Sequence, residues 1–346
     1  MTLQEALDAP VPAVVLAEGE FGEPDGKTAN GVVMHSELFD VGAVVDSTSV
    51  GRTASAVLGR PDIPDVPVVS SVSEALEEAP ETEALVVGIA PVGGALPDAL
   101  TRQIEDAIKA GCDVVSGLHA FLSDSERWSA LAAEHGVKLF DVRRTPDVGE
   151  LRIATGRAVD VDADVVLVAG TDCATGKRTT CFELYRAARE RGLDAEWVAT
   201  GQTGILVGAD RGVVVDRVPA DFVAGVVEDM VVDVAEGADL VFVEGQAAIT
   251  HRSYGGVSLG ILQGAWPDSV VIVDDPDRAK RAMGRFTVPA VSRERDLIET
   301  LSEATVAAVS TWGEPATATA ESGLPAANVY HRGGAEKLLE AVLEDR

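Results

Sequence analysis

The chain is poor in aromatic residues and in cysteine, and both shortages limit what it can be. Aromatics make up 4% of its 346 residues, so valine, alanine and leucine must fill the cores. The three cysteines, Cys112, Cys173 and Cys181, provide neither a disulfide framework nor the spacing of a zinc site. The composition therefore predicts aliphatic cores without disulfide or zinc cross-links.

Basic residues are also scarce. The chain has 28 lysines and arginines against 57 acids, a formal net charge of −29, and only 6 of the basic residues are lysine. Such an excess of negative charge repels nucleic acid and anionic lipid, so we expect neither a nucleic acid nor a membrane as partner. An acidic, lysine-depleted surface is typical of a high-salt cytosol, where screening relieves self-repulsion. It predicts a halophilic source.

Long apolar runs are missing too. No run approaches the roughly 18 residues of a membrane-spanning helix, and the first residues lack the basic-plus-apolar pattern of a secretion signal. We expect a cytoplasmic protein that acts on a small-molecule substrate. A homo-oligomer is expected only because closed dimers are common.

The runs that are present, such as VVLVA, LVFVE and VVIVDD, are rich in β-branched residues and separated by helical stretches. This pattern indicates parallel strands buried on both faces, and the length exceeds one typical core. We predict an α/β protein with two open, mostly parallel sheets. An N-terminal Rossmann-like domain would span 1–150 and a C-terminal P-loop NTPase-like domain 151–346, with 142–160 as the connection.

The predicted strands are 12–17, 41–46, 66–70, 84–89, 112–116, 137–141, 164–169, 195–200, 239–244, 270–274 and one near 304–310. The predicted helices are 73–79, 97–110, 124–135, 177–191, 221–236, 257–264, 277–283 and 334–344.

Residues 164–180, DVVLVAGTDCATGKRTT, form the most informative unit: an apolar strand, a glycine-bounded loop and a helix opened by Gly176 and Lys177. Loop N–H groups and a helix N-terminus favour anions, and the lysine reaches the outer phosphates. Five residues separate the two bounding glycines where the common motif has four, and Arg178 stands where a Ser or Thr normally ligates Mg²⁺. The alternative, a simple tight connection, has no need of the lysine. The residues predicted to bind the cofactor are Gly170, Thr171, Asp172, Cys173, Ala174, Thr175, Gly176, Lys177, Arg178, Thr179 and Thr180.

A polar loop follows the strand that ends at Glu244. In P-loop sheets a carboxylate at that point faces the phosphate loop, and ligands of open α/β sheets bind outside the carboxyl ends of the strands. We predict three catalytic residues here: His251 or Glu244 as general base, and Tyr254 as hydrogen-bond donor. Arg252 is a candidate carboxylate clamp. An ordinary loop histidine is the alternative for His251.

Three further residues are predicted to contact substrate. Gln202 lies in a glycine-flanked polar loop at 200–204, His119 follows a strand, and Arg143 is a second candidate carboxylate clamp. In the first half, EGEFGEPDGK does not match Gly-x-Gly-x-x-Gly, and no acid about 20 residues further on completes a dinucleotide fingerprint. A nicotinamide-dependent role is therefore disfavoured.

The ordered runs GRTASAVLG, GIAPVGGALP, VVSGLHAFL, AGTDCATGKRTT, TGQTGILVG, VPADFVAG, VEGQAAITH and GVSLGILQGAWPDS resemble a family long catalogued as a domain of unknown function. The family pairs a Rossmann-like domain with a P-loop domain, and its members are associated with D-glutamate N-acetyltransferase activity. The resemblance covers nearly the whole chain. It implies acetyl-CoA as donor and D-glutamate as acceptor, and it marks 170–180, Gln202, Glu244 and the His251 region as family blocks. Arg252 departs from the proline expected in many members, which weakens its assignment as a clamp.

Three interpretations stay open at this point, and one of them is a nucleotide-binding switch or regulatory protein without turnover. Direct acetyl transfer requires no metal and uses the loop to hold coenzyme A. A Mg-ATP-dependent ligase resembling dethiobiotin synthetase would instead use Lys177, Thr179 and Glu244 to organise Mg-ATP. Cys173 is either a small loop residue, which we favour, or the carrier of a covalent intermediate.

Overall fold

The computed structural model describes residues 3–90, 96–281 and 285–344. It divides into two compact units, one built from 3–144 with 202–208, the other from 145–201 with the chain from 209 onward. Each unit is organised around one parallel sheet with helices, which confirms the predicted fold class. None of the helices within these ranges combines the length and apolar character that crossing a bilayer requires.

The first unit has six parallel strands in the order β3-β2-β1-β4-β5-β6. This is the strand order of Rossmann folds. The strands are β1 (Val11–Leu16), β2 (Phe39–Val45), β3 (Val68–Val69), β4 (Ala84–Val87), β5 (Asp113–Ser116) and β6 (Leu139–Asp141). The helices are α1 (Leu3–Ala6), α2 (Lys27–His35), α3 (Ala54–Leu58), α4 (Val72–Glu78), α5 (Asp98–Lys109) and α6 (Glu126–His135).

The second unit has seven parallel strands in the order β13-β12-β11-β7-β10-β8-β9. They are β7 (Asp164–Gly170), β8 (Ala195–Ala199), β9 (Arg211–Gly212), β10 (Leu240–Glu244), β11 (Ser269–Asp274), β12 (Thr305–Thr311) and β13 (Ala326–Ala327). The later helices are α7 (Lys177–Glu190), α8 (Gln202–Val207), α9 (Val223–Val234), α10 (Gly255–Ala265), α11 (Val291–Leu301), α12 (Pro315–Ser322) and α13 (Gly334–Glu344). Because β7 lies between β10 and β11, three carboxyl ends meet at one point of this sheet.

Two local predictions were wrong. Residues 200–204 are not a single loop, because Gln202 begins α8, whose apolar residues are buried in the first unit against α2. Their burial outweighs the low helix propensity of the neighbouring glycines. The predicted helix 277–283 is also absent from its described part: 277–281 form a turn and an isolated bridge from Lys280 to Thr287. Residues 282 and 283 lie outside the described ranges.

The stretch that leads into the second unit is held by α9. The buried carboxylate of Glu228 accepts backbone N–H bonds from Thr155, Gly156 and Arg157 at 2.5 to 3.0 Å. Burial acts to raise the pKa of Glu228, but these hydrogen bonds outweigh it and the pKa is lowered. At Gly225 a Cβ would lie 1.8 Å from the carbonyl oxygen of Arg152, so only glycine lets the chain pass this close. A segment without regular pattern is thereby fixed to a helix.

Candidate functional site: a glycine-bounded loop in the second unit

The loop between β7 and α7 has the predicted register, since the strand ends at Gly170 and the helix begins at Lys177. Two of its residues have left-handed backbone conformations, Ala174 with φ of 52° and Gly176 with φ of 95°. This region is uncommon for a residue with a side chain, and such conformations concentrate at ligand sites. The loop is therefore held in its shape by contacts around it.

Trp312, at the end of β12, supplies one of these contacts. Its indole Nε1 donates a hydrogen bond of 2.5 Å to the carbonyl oxygen of Thr175. A Cβ added to Gly176 would lie 2.4 Å from the indole Cζ2. Trp312 was not among the predicted site residues, because a tryptophan after a strand is not by itself a sign of a binding site.

Lys177 turns its side chain back into the loop. Its Nζ donates to the carbonyl oxygen of Asp172 at 2.6 Å and lies 3.4 Å from Thr175 Oγ1. Burial lowers the pKa of Lys177 from 10.5 to about 8, although the charges of Cys173, Asp172 and Glu244 act to raise it. A bound anion would favour the charged ammonium and oppose this shift.

Asp172 is fully buried, which explains how a loop of this kind tolerates an acid. Its Oδ1 lies 3.6 Å from His251 Nε2 and 3.6 Å from Arg281 Nη1, and its Oδ2 lies 3.5 Å from Arg278 Nη1. The carboxylate thus faces protein cations that compensate its charge. Removing one partner from a buried set of charges costs stability, so Asp172 stabilises the folded loop by compensating the charges around it.

Arg278 and Arg281 also bind the loop's main chain. Arg278 donates to the carbonyl oxygens of Cys173 at 2.6 Å and Ala174 at 3.4 Å, and Arg281 donates to that of Thr171 at 3.2 Å. In a trans peptide the next N–H points away from the carbonyl, so these bonds turn loop N–H groups away from the arginines. Outward carbonyls and inward amides are what an anion-binding loop requires. Neither arginine was among the predicted site residues, because both lie in the stretch predicted as the helix 277–283.

Glu244 lies beside this loop. It is buried at the end of β10, opposite Val168 of β7. Its carbonyl oxygen accepts a 2.6 Å bond from Thr200 Oγ1, which in turn accepts a 2.9 Å bond from Gln246 Nε2. The strand end is therefore fixed, and the Glu244 carboxylate is near enough to act on the pKa of Lys177.

His251 is buried and is oriented by backbone. Its Nδ1 accepts N–H bonds from Ser253 at 3.2 Å and Tyr254 at 3.3 Å, and its ring stacks on that of Tyr254 at 5.0 Å. Because Nδ1 is an acceptor, the imidazole proton resides on Nε2, which lies 3.6 Å from Asp172 Oδ1, beyond hydrogen-bond distance. Of the two candidate bases, this arrangement favours Glu244.

The remaining predicted residues of the second unit lie in different environments. Arg252 is exposed, and its guanidinium lies 4.6 Å above the Phe286 ring. Arg178 is half-buried on the first turn of α7, directly after Lys177. Thr179 is buried, while the Thr180 hydroxyl is 2.9 Å from Ser310 Oγ and is therefore directed to β12.

Gln202, His119 and Arg143 belong to the first unit. Gln202 begins α8, His119 is exposed after β5, and Arg143 is buried after β6. None of them takes part in the contacts described above for the loop of the second unit. Their assignment as substrate contacts stays a prediction.

Asp172, Cys173 and His251 place their potential metal-ligand atoms within 4.8 Å of one another. The surroundings suit a cation poorly. Two arginines lie within 3.6 Å of the carboxylate, and the Nε2 of His251 carries the proton that a metal would have to displace. A metal-ligating histidine normally donates its other N–H instead of accepting there. The cluster is better suited to organising the loop.

Fold and loop together define a two-unit α/β protein, with a Rossmann-ordered sheet in one unit and a phosphate-type loop in the other. The sequence matches the DUF1611_N Rossmann-like domain of unknown function over residues 47–145 and the DUF1611_C P-loop domain over 152–339. The chain belongs to the DUF1611 family.

Two relatives and one solved structure can be compared along the chain. A protein from Tritonibacter scottomollicae is 36% identical over 66% of this chain and 68% of its own length, and one from a Pseudoalteromonas species is 37% identical over 54% of each. The match thus spans about half the length of the Pseudoalteromonas protein. Both are named D-glutamate N-acetyltransferase. The crystal structure of a DUF1611 family protein from Anabaena variabilis has a TM-score of 0.88 at 32% identity, covering 96% of this chain and 99% of that one.

Proposed function

We propose that this protein is an N-acetyltransferase that moves the acetyl group of acetyl-CoA to the amine of D-glutamate. The names of the two relatives support acetyl transfer to D-glutamate, and acetyl-CoA as the donor is part of the proposal. The observation that carries it within the chain is the loop, where arginine and tryptophan side chains bind the carbonyl oxygens and leave the main-chain N–H groups for an anion. Lys177 would exchange its bond to the Asp172 carbonyl oxygen for that anion, and Arg178 replaces the magnesium-binding hydroxyl. Coenzyme A carries a pyrophosphate and a ribose phosphate, so such a loop can hold it without hydrolysing anything.

The residues beside the loop supply the remaining chemistry. The ammonium of glutamate must lose a proton before its nitrogen attacks the acetyl carbonyl, and Glu244 accepts that proton. As the C–N bond forms, the thioester C–S bond breaks, and the departing thiolate of coenzyme A takes the second proton released by the nitrogen and leaves as the free thiol. The Nε2–H of His251 and main-chain N–H groups of the loop after β10 are donors for the charge that develops on the carbonyl oxygen. Tyr254 holds the imidazole in place by stacking.

A Mg-ATP-dependent ligase is the second candidate, because a buried strand-end carboxylate beside a phosphate loop is a common magnesium ligand. Arg178 weighs against it, since the helix begins at Lys177 and leaves an arginine at the position of the usual hydroxyl. Thr179 does offer a hydroxyl, but it lies one residue further along the helix than the usual magnesium ligand.

One incubation separates the two. The protein is mixed with acetyl-CoA and D-glutamate without nucleotide or added metal, while free thiol and N-acetylglutamate are followed by absorbance and mass spectrometry. We expect one equivalent of free coenzyme A thiol for each N-acetylglutamate that is formed. Absence of product, together with phosphate release from Mg-ATP, would support the ligase and overturn the proposal.

Substitution tests the assignment of the base. Glu244→Gln should lower kcat by about 10²–10⁴-fold, the usual contribution of a general base. Glu236→Gln is the matched control, because Glu236 is exposed and precedes β10, at the opposite end of the strand. Equal rates for the two variants would show that Glu244 is not the base.

A further inference from the structure

After Asp275 and Asp277, the segment that follows β11 becomes far more basic than the rest of the chain. Four of the eight residues 278–285 are lysine or arginine, against 28 of 346 overall. The segment folds back on itself: Lys280 and Thr287 form an antiparallel bridge, and Arg281 N donates to the Phe286 carbonyl oxygen at 2.8 Å. We call the described residues 278–281 and 285–288 the cationic hairpin.

The cationic hairpin is joined directly to the glycine-bounded loop. Arg278 and Arg281 bind the loop's carbonyl oxygens, and Asp172 partly compensates their charges. Lys280 and Arg285 are exposed. Arg252 joins the group by stacking on Phe286 of the hairpin.

Three of these cations have no acidic partner among the residues that the structure describes. Within 3–90, 96–281 and 285–344, neither Lys280, Arg285 nor Arg252 forms an ion pair, although acids outnumber bases two to one. On a protein with a net charge of −29, a polyanionic ligand is repelled by the overall field, and a local group of cations offsets that repulsion. The position of this group beside the loop points to a second anion subsite.

We propose that the cationic hairpin and Arg252 bind the ribose 3′-phosphate of coenzyme A while the loop holds the pyrophosphate. This inference rests on the proposed donor, acetyl-CoA. A phosphomonoester carries about two negative charges at pH 7 and presents three acceptor oxygens, which suits several cations at once. A single carboxylate of glutamate is satisfied by one arginine. The surplus of exposed cations therefore favours the phosphate.

The test compares coenzyme A with dephospho-coenzyme A, which lacks only that phosphate. Calorimetric titrations on the whole chain should show that wild type binds coenzyme A about 10- to 100-fold more tightly, the value of one or two charge-assisted contacts. The double variant Lys280→Gln/Arg285→Gln should bring this ratio close to one by weakening coenzyme A alone. Both side chains are exposed, and unfolding curves would verify that the fold is retained.

Arg191→Gln is the matched control. It removes one exposed cation at the far end of α7, about 20 Å along the helix from Lys177, and should leave the ratio unchanged. ATP is titrated in parallel, because it offers a polyphosphate without a ribose 3′-phosphate. We expect its affinity to be insensitive to the double substitution.

Four outcomes would overturn the inference. The first is a wild type that binds coenzyme A and dephospho-coenzyme A with nearly equal affinity, and the second is a double variant that loses the same affinity for both. The third is a double variant whose affinity for ATP falls as much as its affinity for coenzyme A. The fourth is a double variant with a higher KM for D-glutamate and an unchanged affinity ratio. The last would assign the hairpin to the acceptor. Since binding is measured without turnover, a wild type that shows the expected ratio but makes no N-acetylglutamate would refute the proposed reaction and leave the subsite standing.

Discussion

Gly176 is the position where one added methyl group tests the geometry of the loop most directly. It has a φ of 95°, and a Cβ there would lie 2.4 Å from Cζ2 and 2.9 Å from Nε1 of Trp312. The indole cannot move freely, because its Nε1 is hydrogen-bonded to the Thr175 carbonyl oxygen. Gly176→Ala therefore strains both the backbone and the tryptophan.

The two contributions can be separated within the same helix. A left-handed conformation costs a residue with a side chain roughly 1–2 kcal/mol. Forcing a methyl group into a packed contact adds about 1–3 kcal/mol, so Gly176→Ala should destabilise by about 2–5 kcal/mol. Gly192, just after α7, has a φ of 84° and nothing within 4 Å of an added Cβ. Gly192→Ala thus carries the backbone cost alone.

Thermal unfolding and coenzyme A titration of the two variants form the assay. For a unit of this size, 1 kcal/mol lowers the melting temperature by about 2–4 °C, so Gly176→Ala should melt several degrees below Gly192→Ala. Coenzyme A affinity should fall only in Gly176→Ala, because only there are the loop amides displaced. Equal melting temperatures and equal affinities would refute the claim that Trp312 fixes the loop.

Three further expectations follow from the charges. Since the pKa of Lys177 is about 8, coenzyme A affinity should fall by up to about tenfold per pH unit above pH 8, and calorimetry at pH 7, 8 and 9 should find this dependence lost in Lys177→Met. Among the described residues, Asp172→Asn leaves Arg281 paired with Glu294 alone and Arg278 paired with Asp275 alone, and should cost about 1–3 kcal/mol in urea unfolding, whereas the exposed Asp277→Asn should change stability by less than about 0.5 kcal/mol. The lowered pKa of Glu228 stabilises the fold above its unfolded pKa of about 4.3, and this contribution disappears as pH falls through the folded pKa. As the pH is lowered from 7 to 3, the urea midpoint should therefore fall less steeply in Glu228→Gln than in wild type.

The elements that were predicted well are those whose signal is local. The aliphatic strands were placed to within a few residues, and helix 334–344 was placed without error, because burial on both faces and helical periodicity are visible within one segment. Helix α8 was missed because its stability comes from packing against α2 and not from its glycine-flanked sequence. The stretch 277–281 was misassigned because the loop carbonyls that bind its arginines belong to a distant part of the chain.

The residues of the candidate site also fall into those that a local sequence pattern predicts and those that tertiary contacts define. The loop residues and Glu244 stand out in the sequence because a strand, a glycine and a lysine at fixed spacing make a recognisable unit. Trp312, Arg278 and Arg281 carry no such signal. Each acts through contacts with main-chain atoms. Every residue has the same main-chain atoms, so the partners of such contacts cannot be recognised from the sequence.

By itself, the order of residues determined two parallel sheets, the register of the loop with its helix, and the family. Those features depend on neighbours along the chain. Folding alone brings the acid inside the loop opposite two arginines and a histidine, and it directs two backbone N–H groups to Nδ1 of that histidine, so that its proton lies on Nε2. The reason is physical: the carboxyl ends of β7, β10 and β11 converge at one edge of the sheet, and charges from separate segments then set one another's environment.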